Sequence, residues 1–169
     1  EGHVRLPAEE ITLADLLKAA GYATGMVGKW HLGDRSPSLP NEMGFDSYFG
    51  AHYSNDMKPF ALYANRDIAV AAPGDQHYLT ERYTQAATRF IEQHAQAPFF
   101  LYFAHNFPHD PLFVRKERSG TSQAGLYGDV VEELDDSVGA IVATLQRTGN
   151  LENTLIMISS DNGPWFLGD

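Results

Sequence analysis

Three short apolar runs constrain this chain more than any other feature: residues 22–27 (YATGMV), 99–104 (FFLYFA) and 154–160 (TLIMISS). Each follows a stretch that reads as helix. A helix feeding a short, continuously apolar run is the pattern of a strand buried on both faces of a layered α/β sheet. In the first unit, Thr12 is placed to cap a helix over residues 11–21, Asp15 suits its first turn, and Gly21 suits a left-handed exit. Leu13, Leu16, Leu17 and Ala20 form its apolar face. In the second, Thr80 is placed to cap a helix to about residue 96, with Tyr83, Ala86, Ala87, Phe90 and Ile91 on one side and Pro98 beyond its end. The third helix, over 127–148, carries Val131, Leu134, Val138, Ile141, Val142 and Leu145 at helical spacing, with acids in its first half and Gly149 at its exit. Residues 32–77 show no sustained period, which predicts long irregular connections with a short strand near 61–63. Loops of that length inside a domain tend to carry function.

A chain of 169 residues with 43% hydrophobic residues can bury a sizeable core without a disulfide, so the absence of cysteine leaves the fold unharmed. It does exclude a thiolate metal site and a cysteine nucleophile within these residues. Twelve basic residues against 22 acidic ones give a net charge of -10, and the basic ones are scattered, which argues against a nucleic-acid partner. No apolar run approaches the roughly 18–20 residues that cross a bilayer, and no signal-peptide pattern opens the chain, so no membrane insertion is expected. The start at Glu1 and the end at Asp169, after a Trp-Phe-Leu-Gly run, read as those of a piece of something longer. The oligomeric state is not legible.

In open α/β sheets ligands gather beyond the carboxyl ends of the strands, and three clusters sit there. Lys29 and His31 are two apart. In extended backbone they point the same way and set a cation beside a proton carrier, an arrangement suited to an anion. They equally fit a solvated lysine and a histidine packed beside Trp30. His105 and His109 flank Pro108, which with Pro111 restricts the backbone as a proton donor requires, but spacing does not choose between the two histidines. Asp161 and Asn162 offer hard oxygen ligands for Ca²⁺ or Mg²⁺ rather than Zn²⁺; two ligands do not hold an ion, and an Asn-Gly turn explains them as well. No Gly-x-Ser-x-Gly elbow, phosphate-binding glycine loop or paired glutamates occur. Together these residues describe a pocket for a tetrahedral oxyanion, sulfate or phosphate.

Residues 21–33, GYATGMVGKWHLG, resemble the second signature of the type I sulfatases. Gly44-Phe45-Asp46, Tyr53-Ser54-Asn55-Asp56, Pro108-His109-Asp110-Pro111, residues 127–135 (YGDVVEELD) and Ser159-Ser160-Asp161-Asn162-Gly163 reinforce the resemblance in the family's order, nearest to arylsulfatases of the arylsulfatase A kind. The resemblance implies an alkaline-phosphatase-like three-layer α/β sandwich with a mixed, mostly parallel central sheet. Residues 1–169 would be part of a single catalytic domain, without its N-terminal nucleophile segment and its C-terminal portion. It implies that Lys29 contacts sulfate and nucleophile, that His31 accepts the nucleophile's proton, and that His109, rather than His105, protonates the leaving alcohol. Ser54 would reach the sulfate, and Asp161 and Asn162 would be metal ligands, with Ca²⁺ favoured over Mg²⁺.

The family's nucleophile is a formylglycine made from Cys or Ser in a Cys/Ser-x-Pro-x-Arg motif, expected upstream of Glu1. Paired aspartates are expected further upstream, and a second lysine downstream of Asp169. Ser36-Pro37-Ser38 lacks the arginine and reads as loop. The implied reaction is hydrolysis of a small-molecule or glycan sulfate ester, with residues 51–77 setting specificity, in an exported enzyme of a bacterial periplasm or extracellular space, or alternatively a lysosome. The fragment alone would be inactive. The competing readings are a phosphomonoesterase or phosphodiesterase of the same superfamily, and a non-catalytic anion-binding remnant.

Overall fold

The computed structural model describes residues 5–163, so the two extremities of the expected catalytic segment, 1–4 and 164–169, lie outside the described residues. The elements run α1 (Leu13–Ala19), β1 (Ala23–Gly28), β2 (Ser47–Gly50), β3 (Leu62–Ala64), β4 (Asp67–Val70), α2 (Leu79–Gln93), β5 (Phe99–Ala104) and α3 (Gly125–Arg147). The sheet order is β4-β3-β2-β1-β5. β1 lies parallel to both neighbours, with Gly25 opposite Ser47 on β2 and Leu101 on β5. β2, β3 and β4 follow one another antiparallel, so the sheet is mixed, with its parallel pairings around β1.

Alternation along β1 assigns the layers. Met26 joins Ala14 of α1, Trp30, Met43, Phe45 and Tyr48 in one cluster. Val27, its neighbour on the opposite face, joins Leu79, Tyr83 and Ala87 of α2 and Val130 of α3 in another. Helices therefore cover both faces, which suits the uncharged run 22–27, whose buried Thr24 hydroxyl is satisfied by the Gly44 carbonyl at 2.7 Å.

The helices arise where their spacing predicts, with shifts that packing explains. Thr12 and Asp15 form a reciprocal cap, the Asp15 amide donating to Thr12 Oγ1 at 3.1 Å and the Thr12 amide to Asp15 Oδ2 at 2.9 Å. The expected apolar face of α1 does not hold. Ala14 faces inward, whereas Leu13 and Leu16 are each 59% exposed. The helix backbone sits so close to Gly44 that a Cβ there would lie 2.4 Å from the Asp15 nitrogen, which leaves room beneath α1 for a small side chain only. α2 buries Tyr83, Ala87, Phe90 and Ile91, while Thr80, expected as its cap, is buried inside the helix. α3 begins at Gly125 and buries Val130 and Leu145 together with Asp129, Glu133, Ser137 and Thr144; Val131, expected on the apolar face, is 40% exposed.

Residues 154–160, expected to form the third buried strand, form none. After a 3-10 turn at Leu151–Asn153 the segment pairs with no strand among the described residues, and Leu155 and Met157 are 85% and 84% exposed. An apolar run signals a demand for burial; a strand also needs a hydrogen-bonded neighbour, and here none lies beside it.

Gly28 ends β1 with φ +116°, and a Cβ on it would lie 1.8 Å from the Ala104 carbonyl oxygen of β5. Facing it, a Cβ on Gly50 of β2 would lie 1.9 Å from the Gly28 carbonyl oxygen. Neither clash can be relieved by a side-chain rotation, because both obstacles are backbone. Gly28→Ala is therefore expected to lower stability by about 3 kcal/mol or more, read as a fall in the denaturant midpoint; a change within 0.5 kcal/mol would refute this packing.

Candidate active site

The residues after β1 are held by backbone on two sides. The Lys29 amide donates to the Ala104 carbonyl at 2.8 Å, the Trp30 amide to Ala51 at 3.0 Å, and the His31 amide to His52 at 2.8 Å. The Trp30 ring is buried edge-on to Phe45 and donates Nε1–H to the Ser38 carbonyl at 2.8 Å, which anchors the middle of the segment. His31 does not continue the strand: its φ of 60° is left-handed, so strand alternation is not what relates it to Lys29. The two are nonetheless within electrostatic reach. Burial first, then the Lys29 cation and His109, hold the His31 pKa below that of an ordinary histidine, against an opposing pull from Asp56. His31 is thus neutral near pH 7 and able to accept a proton. Tyr53 packs edge-on against its ring at a centroid distance of 5.6 Å.

Ser54 and His109 arrive from different loops and meet, Ser54 Oγ lying 3.4 Å from His109 Nδ1. The loops are tied by Asn55, whose Nδ2 donates to the Pro111 carbonyl at 2.9 Å, and by Gln76, whose Nε2 donates to the Asn55 carbonyl at 2.9 Å. His109 Nδ1 lies 2.5 Å from the Asp110 carbonyl oxygen, which can only accept, so Nδ1 carries a proton. Nε2 is then the ring nitrogen not engaged by the Asp110 carbonyl.

His105 has a different fate. Thr84 Oγ1 spends its proton on the Thr80 carbonyl at 2.7 Å, so Ser137 must donate to Thr84 across 2.6 Å, and Ser137 Oγ can then only accept from His105 Nε2 at 3.2 Å. His105 is fixed as the Nε2–H tautomer, with Nδ1 buried and unpartnered among the described residues. Its ring packs on Phe103 at 4.2 Å. Burial pushes its pKa down to about 4. The geometry makes His105 a structural group and leaves His109 facing Ser54. An unfolded His105 would take up a proton near pH 6.5 while the folded one stays neutral. Stability should therefore fall with pH through this residue, by roughly 2 kcal/mol between pH 7 and pH 5. Denaturant melts at both pH values, compared with His105→Gln, test this: the variant should lose that share of the slope, and parallel pH dependences would refute it.

The acids of α3 hold the loop that follows His109. The Asp129 carboxylate accepts from the amides of Gly120 at 2.7 Å, Thr121 at 3.0 Å and Ser122 at 2.7 Å, and the Ser122 and Gly120 amides lower its pKa. Glu133 takes the Arg115 guanidinium at 2.5 Å. The buried polar stripe of the helix is thus a clamp on residues 115–122.

Asp161 and Asn162 lie exposed in the turn after residues 154–160, where the Gly163 amide donates to Ser160 Oγ at 3.1 Å. No hydrogen bond or ion pair among the described residues joins them to Lys29 or His31. Their carboxylate and amide oxygens are the donors Ca²⁺ prefers, but the described residues contain no cluster of three or more acidic, histidine or cysteine ligands that completes a site. Sequence reasoning gave no role to Tyr53, which packs against His31, or to Asn106, whose Oδ1 accepts from the buried Tyr83 hydroxyl at 2.7 Å beneath the histidine loop. Its only available signal was their position beside flagged residues.

A family model described as Sulfatase matches residues 2–167. The N-acetylgalactosamine-6-sulfatase of Mus musculus is 41% identical over 175 residues, which cover 94% of this chain and 34% of that protein. An arylsulfatase of Hemicentrotus pulcherrimus is 40% identical over 182 residues, covering 94% of this chain and 32% of that protein. The chain spans about a third of the length of these curated relatives. A solved structure from a Bacteroides thetaiotaomicron locus for metabolism of multiple glycosaminoglycans superposes with a TM-score of 0.82 at 24% identity, covering 89% of this chain and 45% of that one. That likeness is one of fold: a mixed sheet between helical layers, part of the alkaline-phosphatase-like sandwich.

Proposed function

The chain belongs to the sulfatase family, and from that premise we propose that the protein carrying it hydrolyses a sulfate ester, with residues 1–169 as part of its single catalytic domain. The observation that carries the proposal is the convergence of Lys29, His31, Ser54 and His109, from the ends of β1 and β5 and the loop between β2 and β3, around one electrostatically coupled centre. In this reading Lys29 neutralises sulfate charge, and among the described residues no carboxylate pairs with it to cancel that charge. Neutral His31 takes a proton from the nucleophile. Ser54 donates to a sulfate oxygen, and His109, held through Nδ1, protonates the departing alcohol from Nε2.

Residues 1–169 contain no Cys/Ser-x-Pro-x-Arg sequence, so the formylglycine that family members use as nucleophile would be supplied from outside them. Asp161 and Asn162 fit Ca²⁺ in donor type and would contribute two of its ligands; when bound, the ion supplies positive charge against the sulfate oxygens. The substrate class is a sugar or small-molecule sulfate ester, supported by the name of the N-acetylgalactosamine-6-sulfatase relative. An exported location, in a periplasm, the extracellular space or a lysosome, belongs to the same proposal. No helix among the described residues is long and apolar enough to cross a membrane.

In the intact protein, Lys29→Ala and His109→Ala should each lower kcat/KM on an aryl sulfate by about 10²-fold or more. Undiminished turnover in both would overturn the assignments. Because His31 works as the neutral base and its pKa lies below 6.5, the acid limb of the kcat/KM profile should fall below pH 6.5.

A further inference from the structure

A cavity of about 310 Å³ opens beside the centre just described, lined by Arg5, Gly33, Asp34, Arg35 and Tyr53. Tyr53 joins the two sites, since the ring that lines the cavity also packs edge-on against His31 and precedes Ser54 in the chain. The cavity is thereby the space next to a sulfate held beside His31, on the far side of Tyr53. The cavity stands at the small end of ligand pockets, which run from roughly 300 to 1,000 Å³, and so suits one ring rather than an oligomer.

Its walls are built in advance. The Leu6 amide donates to the Leu32 carbonyl at 2.8 Å, and Ser38 Oγ donates to the Leu6 carbonyl at 2.6 Å. These bonds fix the segment bearing Arg5 against the loop bearing Asp34 and Arg35. Gly33 at the fold of that loop has φ +135°, and a Cβ there would lie 2.7 Å from the Ser38 Cβ, so the loop closes as tightly as a backbone allows.

The chemistry is specific. Asp34 Oδ1 and Arg35 Nε stand 3.9 Å apart, a loose ion pair without a hydrogen bond. Burial and then the nearby Asp34 carboxylate, which accepts from the Tyr53 hydroxyl, raise the Tyr53 pKa. A carboxylate with one such partner still has lone pairs for a ligand, and the guanidinium has N–H donors. A sugar hydroxyl both donates and accepts, and two adjacent hydroxyls match an acceptor beside a donor fork. Arg5 gives the cavity two cations against one anion, which favours a ring that carries a sulfate.

We propose that Asp34 and Arg35 form the subsite that reads adjacent ring hydroxyls of a sulfated monosaccharide, and so determine its preference over hydroxyl-free sulfate esters. This rests on the sulfatase reading. Arg35 is 78% exposed at its side chain and closes on the ring from the solvent side, while Asp34, at 32%, forms the inner wall.

The test measures kcat/KM in the intact protein on galactose 6-sulfate and on 4-nitrophenyl sulfate, for the unsubstituted enzyme, Asp34→Ala, Asp34→Asn and Arg35→Ala. The ratio of sugar sulfate to aryl sulfate should fall about 10- to 100-fold in Asp34→Ala and Arg35→Ala, the scale of one lost hydrogen bond to a charged group, and less in Asp34→Asn, which keeps an acceptor. An unchanged ratio, whether both rates hold or both fall together, overturns the subsite and leaves the sulfatase reading standing. Release of sulfate from neither ester by the unsubstituted enzyme overturns that reading and the subsite with it.

Discussion

The close approach of three backbones at the end of β1 sets the terms for everything downstream of it. With a side chain on Gly28, β5 could not draw its last carbonyl against β1; with one on Gly50, β2 could not do so from the other side. Because neither exists, the Ala104, Ala51 and His52 carbonyls converge on the residues that leave β1, and Lys29 and His31 are placed by strand packing rather than by a free loop. The histidine loop starts from the same point, since Ala104 ends β5 two residues before Asn106. The candidate site is in this sense the continuation of the carboxyl end of an interior strand.

A second support reaches the site from α3. An amphipathic helix is expected to bury its apolar stripe, yet this one turns Asp129, Glu133 and Ser137 inward beside Val130. Each has a partner: amides of residues 120–122, Arg115, and the Thr84–Ser137–His105 chain of hydroxyls. Buried polar groups persist where they are satisfied, and these convert burial of α3 into order in the loop after His109.

This explains what could be read in the chain and what could not. Helix α1 was legible from Thr12 and Asp15 because a cap is local, and α2 from the spacing of Tyr83, Ala87, Phe90 and Ile91 because one face of it meets the sheet. β1 and β5 were legible as short apolar runs after a helix, although only β1 is enclosed: β5 is at the edge of the described sheet and leaves Tyr102 47% exposed. β2 and β4 were not: four residues each, in a stretch rich in turn formers, they owe their pairing to neighbours distant in sequence. The inward acids of α3 escaped for the same reason, since their partners lie on other segments. Residues 154–160 carry the apolar signal of a strand without the neighbour that would make them one. At the site, the residue types pointed to an oxyanion and spacing left His105 and His109 open; the resemblance favoured His109, and the proton accounting through Thr84 and Ser137 gives His105 a structural role.

The three amides that anchor the segment after β1 have one more implication. Phosphate-binding loops grip their anion with main-chain N–H groups, whose charge does not vary with pH and whose geometry resists mutation. Here the amides of Lys29, Trp30 and His31 are all spent on carbonyls. This segment has no main-chain cradle to offer, so in the sulfatase reading proposed above any hold on an anion falls to the side chains of Lys29 and His31. In that reading, affinity on this side of the pocket would be an adjustable property of two side chains rather than a fixed property of the backbone.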